Sequence, residues 1–130
     1  MTRINCAILP SELSTKHLIA ELREIKRIPN HVSANKDKLN MKGIPDKFTL
    51  ATGHVKFFYN KLGYLQARYK VLYDEAIVRG FNVSDYSESF KKAIEARPDL
   101  NNEYIETLDD RKILLKRLRE RDYEYYKELK

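Results

Sequence analysis

The chain begins Met1-Thr2-Arg3-Ile4-Asn5, and the small residue at position 2 permits removal of Met1, which would leave the main-chain amine of Thr2 as the first atom. A free α-amino group titrates well below a lysine ammonium, so near neutral pH far more of it is unprotonated and able to attack carbon. Arg3 beside it adds a fixed positive charge that disfavours the protonated amine further. The second residue of interest is Glu24, which lies between Arg23 and Arg27 on a helical arc that also carries His17 and Ala20. Arginines next to a carboxylate favour its ionised form. Two readings of this arc stand: a reactive carboxylate with cations around it, or a solvated charged face with helix ion pairs worth a few tenths of a kcal/mol. His17 likewise reads either as a reactive group or as a surface or structural histidine.

A second concentration of charge lies near the C-terminus. Arg111, Lys112, Lys116, Arg117, Arg119 and Arg121 fall within eleven residues, opposed only by Glu120, and Tyr123, Tyr125 and Tyr126 follow at once. Basic residues neutralise phosphates and tyrosines stack on unpaired bases, so the combination suits a nucleic-acid surface. An amphipathic helix with Tyr125 in the core accounts for the same residues. Lys and Arg number 25 against 19 Asp and Glu, a formal charge of +6 that favours a polyanionic partner, and 42% hydrophobic content argues for a folded chain rather than a basic tail.

Other chemistries find little support. His17, His31, His54 and Cys6 are scattered without metal-ligand spacing, so no metal is expected. There is no phosphate-cradling glycine loop and no G-x-S-x-G motif, and no cofactor is expected. Cys6 is the only cysteine, which excludes an intrachain disulfide and suits a reducing compartment. No apolar run approaches the roughly 20 residues of a transmembrane helix, and the N-terminus lacks a signal-peptide pattern. The expectation is a soluble, intracellular protein, folded as a single domain over its 130 residues.

Helices must position these groups, because strand-like alternation with hairpin turns is absent, and the fold class expected is all-α with three main helices and long connecting loops. Ser14 caps a first helix from about residue 15, with Leu18, Leu22 and Ile25 on its apolar side, and Pro29 is expected to end it. His31 to Lys47 reads as loop. Thr52 is expected to cap a long second helix whose stripe of Val55, Phe58, Leu62, Leu65, Tyr69, Leu72 and Ala76 runs to a stop at Gly80. Gly63 lies inside that stripe and could kink or split it. A shorter helix is expected from about Asp85 to Ala96. Thr107 and Asp110 have the spacing of a capping box for a last helix that carries Leu108, Leu114, Leu115, Leu118 and Tyr125 toward the core.

In order and spacing, several blocks resemble the pyrimidine-dimer DNA glycosylases, the endonuclease V type of bacteriophage and algal viruses. They are the opening Met1 to Asn5, His17-Leu18, Arg23-Glu24 with Arg27, Gly53-His54-Val55, Phe57-Phe58-Tyr59 and Lys61-Leu62. Arg79-Gly80-Phe81-Asn82, Tyr104-Ile105, Arg117-Leu118 with Glu120, and Tyr123 with Tyr125-Tyr126 follow. The resemblance implies a compact, monomeric three-helix repair enzyme with linked glycosylase and apurinic/apyrimidinic lyase activities. Its partner would be double-stranded DNA carrying cyclobutane pyrimidine dimers or abasic sites, with no membrane involved. It implies that the Thr2 amine attacks sugar C1′, expels the pyrimidine and forms an imine. Glu24 would stabilise the cationic sugar and imine and assist proton removal from C2′ during β-elimination. Arg3, Arg23, Arg27, Arg117 and Arg121 would hold phosphates, His17 would lie near the reacting sugar, and Tyr123 and Tyr125 would contact DNA. The base opposite the lesion would be extruded into a protein pocket, and Ala20 would allow close approach of the duplex.

The chain departs from the best-known members at Leu22, where they carry tyrosine, at Lys26, where they carry proline, and at Asp122, where an aromatic residue usually precedes the terminal tyrosines. Pro29 also interrupts the first helix earlier than is usual, and the stretch between Arg121 and Tyr123 is shorter. These changes bear on lesion grip and scanning rather than on bond breaking. A basic DNA-binding protein that keeps the scaffold without catalysis is the alternative from another class.

Overall fold

A computed structural model describes residues 4–130, and among these every regular element is helical. The three longest helices are α1 (Thr15–Ile25), α4 (Leu62–Val78) and α6 (Leu108–Arg121), with α2 (Arg27–Ala34), α3 (His54–Phe57), α5 (Ser87–Ala96) and α7 (Tyr123–Tyr126) between and after them. α1 packs on α4, α5 packs on both α2 and α4, and α7 folds back on α6. None of the helices among the described residues is long and apolar enough to cross a membrane.

α1 starts where Ser14 accepts the His17 backbone N–H on its hydroxyl at 3.3 Å, which satisfies one of the donors a helix start leaves open. Leu18, Leu22 and Ile25 are buried as expected, and Glu21 is buried with them. Pro29 does end α1, since a proline ring clashes with the carbonyl four residues earlier, which is that of Ile25. The chain then turns at Lys26 and resumes as α2, with Pro29 in its first turn, where a missing N–H is no loss. The expected loop is corrected accordingly: residues 27–34 are helix, and the irregular stretch begins at Asn35.

The long second helix is two helices. α3 ends at Phe57, residues 58–61 turn, and α4 begins at Leu62, so the break falls just ahead of Gly63. Gly63 sits so close to the 101–103 segment that a Cβ would meet Asn101 Oδ1 at 2.6 Å. Thr52 is not the cap; Gly53 holds that position without a side-chain bond. Val55 is exposed and Phe57 takes the buried place instead. Gly80 has a φ of 85° and closes α4, with its N–H on Ile77 O and the Phe81 N–H on Ala76 O, the paired bonds of a left-handed helix stop.

The capping box forms as expected: Asp110 N–H donates to Thr107 Oγ1 at 3.0 Å and Thr107 N–H to Asp110 Oδ2 at 3.1 Å. Two of the expected core residues are corrected. Leu108 is 78% exposed, because Asp110 rather than Leu108 takes the buried side of the first turn of α6, and Tyr125 is half exposed while Tyr126 is fully buried. The cause is the break at Asp122, whose side chain caps α7 by accepting the Tyr125 N–H and rotates the tyrosines by one position relative to a continuous helix.

Candidate active site

Residues 4–8 belong to no regular element, yet each is tied to the helical frame, two of them to α4 and the others to α3, α1 and α6. Ile4 N–H donates to His54 Nε2 at 2.9 Å, and Asn5 Nδ2 donates to Glu21 Oε1 at 2.9 Å. Tyr64 Oη donates to Cys6 O at 3.1 Å, Arg111 Nη1 to Ala7 O at 3.0 Å, and Arg68 Nη1 to Ile8 O at 2.7 Å. A segment without a ladder of its own is thereby fixed by side chains, which is how buried backbone groups outside helices are satisfied.

Beneath it runs a buried ion pair. Arg68 Nε donates to Glu21 Oε2 at 2.8 Å and its Nη2 to Oε1 at 3.0 Å. Burial alone pushes the Arg68 guanidinium down, but the charge and hydrogen bonds of Glu21 outweigh it and raise Arg68 above its ordinary range. Cys6 lies alongside, its thiol pushed up chiefly by burial and then by Asp110 and Glu106, so it is a poor nucleophile.

Above the segment, Ile4 and His54 form one wall of a cavity of about 290 Å³ whose other walls include Glu24, Arg27, His31 and Tyr59. Glu24 and Arg27 pair at 3.0 Å, with a quarter of the Glu24 side chain exposed. Of the arc read from the sequence, Glu24 and Arg27 face this concavity, and the carboxylate shares it with the described beginning of the chain. Thr2 and Arg3 lie outside the described residues.

The remaining candidates divide. Arg23 is exposed and lines a neighbouring cleft with Lys26, Tyr69 and Tyr86, where Lys26 Nζ sits 3.5 Å above the Tyr86 ring. His17, two turns before Glu24 on α1, has its Nδ1 2.6 Å from the Tyr126 hydroxyl, which itself accepts the Ser14 N–H at 2.9 Å. Arg117 and Arg121 lie close enough to act on His17 electrostatically. Tyr125 places its hydroxyl on Leu13 O at 3.2 Å. These four sit together at the start of α1. Tyr123 is on another side of α6, in a groove of about 570 Å³ with Lys112, Lys116 and Arg119. Two of the six basic residues serve structure: Arg111 clamps Glu12 and Ala7, and Arg119 binds the carbonyls of Tyr126 and Leu129.

Burial first, then the charges of Arg117 and Lys16, hold the His17 imidazole below its ordinary range. The folded chain thus binds this proton more weakly than the unfolded chain does, so stability is full above the ordinary imidazole range and falls as the pH drops below it. The His17 ring protons followed by NMR should titrate below those of a peptide histidine. Arg117→Gln should raise that midpoint without restoring it, since burial remains. A midpoint at or above the peptide value contradicts the placement.

Reasoning from sequence missed His54, Asn5, Glu21, Tyr64 and Arg68. A signal was present for two of them: Glu21 sits between Leu18 and Ile25 on the apolar side of α1, and Arg68 between Leu65 and Leu72 on that of α4. Opposite charges on two apolar stripes predict a buried pair. Among the described residues no group of three or more His, Cys, Asp or Glu is placed to hold a metal ion.

A family model described as pyrimidine dimer DNA glycosylase matches residues 1–88. The matched span contains Thr2, Glu24, Arg27 and His54 and ends in the first turn of α5, ahead of the α6 arginines. With more than half of its length matched, the chain belongs to the pyrimidine dimer DNA glycosylase family, whose substrate is DNA.

Proposed function

We propose that this protein removes the base at cyclobutane pyrimidine dimers through an imine on the Thr2 amine and then nicks the strand by β-elimination. The observation that carries the reading is the shared cavity: Ile4 and Glu24 line it together, and two peptide links from Ile4 to Thr2 span at most about 7.6 Å between Cα atoms. An amine within that reach and a carboxylate on the cavity wall supply the nucleophile and the anionic partner that the reaction requires. The amine would attack C1′ as the glycosidic bond breaks and the base leaves, the nitrogen would lose a proton, and opening of the sugar ring at the C1′–O4′ bond, with O4′ taking up a proton, would leave the imine. Glu24 would stabilise the cation and assist transfer of the C2′ proton, after which the 3′ phosphate departs. No metal or diffusible cofactor enters these steps.

Around the lesion, Arg3, Arg23, Arg27, Arg117 and Arg121 would neutralise phosphates, with His17 near the sugar and Tyr123 and Tyr125 along the strand. The grouping of His17, Arg117, Arg121 and Tyr125 at one end of α1 supports a single DNA face. Tyr123, on a different side of α6, would meet flanking duplex. The protein would act as a monomer and as one domain.

The test is covalent trapping. Borohydride added with ultraviolet-irradiated duplex should link DNA to protein processed to Thr2, with peptide mapping placing the adduct on Thr2. Protein retaining Met1, in which the Thr2 nitrogen is a resonance-delocalised amide, should give none. No adduct with folded, processed protein, or an equal yield with Met1 retained, would remove the imine from the mechanism, and retained DNA binding in that case would favour the binding-only alternative.

A further inference from the structure

His54 is buried, 2% exposed, in a cage formed by the rings of Phe48 and Phe58, whose centroids lie 5.4 and 5.6 Å away. Both of its nitrogens are engaged. Nδ1 lies 2.8 Å from Thr49 O, which can only accept, so Nδ1 carries a proton and donates; Nε2 accepts from Ile4 N–H at 2.9 Å. Only one tautomer of the neutral ring satisfies both contacts. The imidazole is thus a rigid bridge between the loop before α3 and the start of the chain, and it lines the cavity that Glu24, Arg27, His31 and Tyr59 also face.

Of the five side-chain ties that hold residues 4–8, this one grips the backbone nearest the N-terminus. We propose that His54 is a positioning residue for the proposed nucleophile: by accepting the Ile4 N–H it fixes the backbone two residues after Thr2, at the cavity that Ile4 and Glu24 line together. The inference rests on the imine reading above. Without this bond the Ile4 side chain remains packed in the core, but no side-chain hydrogen bond holds the backbone closer to Thr2 than Asn5 among the described residues. Displacement of a reacting atom by about 1 Å can cost about 10²-fold in rate.

The experiment uses the processed protein and its His54→Leu and His54→Gln variants in single-turnover borohydride trapping on a duplex with one abasic site, with protein saturating. His54→Leu should lower the trapping rate constant about 10²-fold while affinity for undamaged duplex is unchanged. His54→Gln, whose Oε1 can accept the Ile4 N–H, should recover most of that loss, a rescue that a merely space-filling role does not predict. Nitrogen NMR of the wild type should show the Nδ1–H tautomer and an Ile4 amide protected from exchange, a readout independent of whether His54→Leu folds. Equal rates for His54→Leu and wild type, equal losses in both variants, or an Ile4 amide exchanging as in a free peptide would each overturn the positioning role. Wild type that forms no adduct while its Ile4 amide is protected overturns the imine reading itself, whereas an adduct undiminished in His54→Leu overturns the positioning role alone.

Discussion

Glu24→Gln is expected to leave duplex binding and folding almost intact and to lower base release and strand cleavage by about 10² to 10⁴-fold at saturating DNA. The substitution keeps the shape and an acceptor oxygen in the cavity shared with Ile4 and Arg27, and it removes only the negative charge. In the proposed reaction positive charge grows on the sugar and then on the imine nitrogen, so a fixed carboxylate stabilises the transition state more than the ground state. A neutral amide cannot. Folding has little at stake, because the ion pair to Arg27 joins residues three apart with two-thirds of the Arg27 side chain in solvent, and such pairs contribute only about 0.2 to 0.5 kcal/mol. Binding has little at stake either, since phosphates are drawn to the arginines and loss of an anion among them does not weaken that attraction. Single-turnover cleavage and duplex affinity measured on the same preparation check both halves. Cleavage within a few-fold of wild type would take Glu24 out of the chemistry, and a parallel collapse of binding would make it a structural residue.

The parts of this molecule that could be read from its sequence are those set by neighbours a few residues away. Ser14 and its helix, the Thr107 to Asp110 capping box and the stop at Gly80 all rest on bonds within a turn, and the Glu24 to Arg27 pair does too. Pro29 was legible as the end of α1 but not as the beginning of α2, because a proline fits the first turn of a helix as well as it terminates one. Which edge of an apolar stripe is buried depends on what packs against it. That is why Val55 and Leu108 turned outward while Phe57 went in, and why the Asp122 cap exchanged Tyr125 for Tyr126. The frame of the candidate site was the least legible. His54 meets Ile4 across fifty positions, and Arg68 meets Glu21 across forty-seven, so no local spacing announces either contact. The basic run on α6 was legible as charge, but the structural use of Arg111 and Arg119 follows from the fold of the last ten residues against α6.

Replacing Arg68 by leucine is expected to destabilise the fold by about 3 to 5 kcal/mol, the usual effect of stranding one member of a buried ion pair. The Glu21 side chain is fully buried and that of Arg68 nearly so. Once the guanidinium is gone, the carboxylate must either stay charged without its counterion or take up a proton. The loss also removes the donor that holds Ile8 O, a further buried group left unsatisfied at about 1 to 3 kcal/mol. Against a total of roughly 5 to 15 kcal/mol for a domain, Arg68→Leu should shift the urea midpoint far down, and Glu21→Leu should do the same from the other side. The double variant Glu21→Leu, Arg68→Leu discriminates between causes. Removing both charges together removes the cost of stranding either, so it should be more stable than each single variant. It should still fall short of wild type, because Asn5 Nδ2 and Ile8 O lose their partners in it. Single variants that each lose less than about 1 kcal/mol, no more than an exposed pair contributes, would mean that the pair is hydrated in solution. The double variant also separates folding from chemistry: if it folds yet traps abasic DNA more slowly than wild type, the pair's contribution lies in fixing residues 5–8 and, through them, Ile4 at the cavity that Glu24 lines.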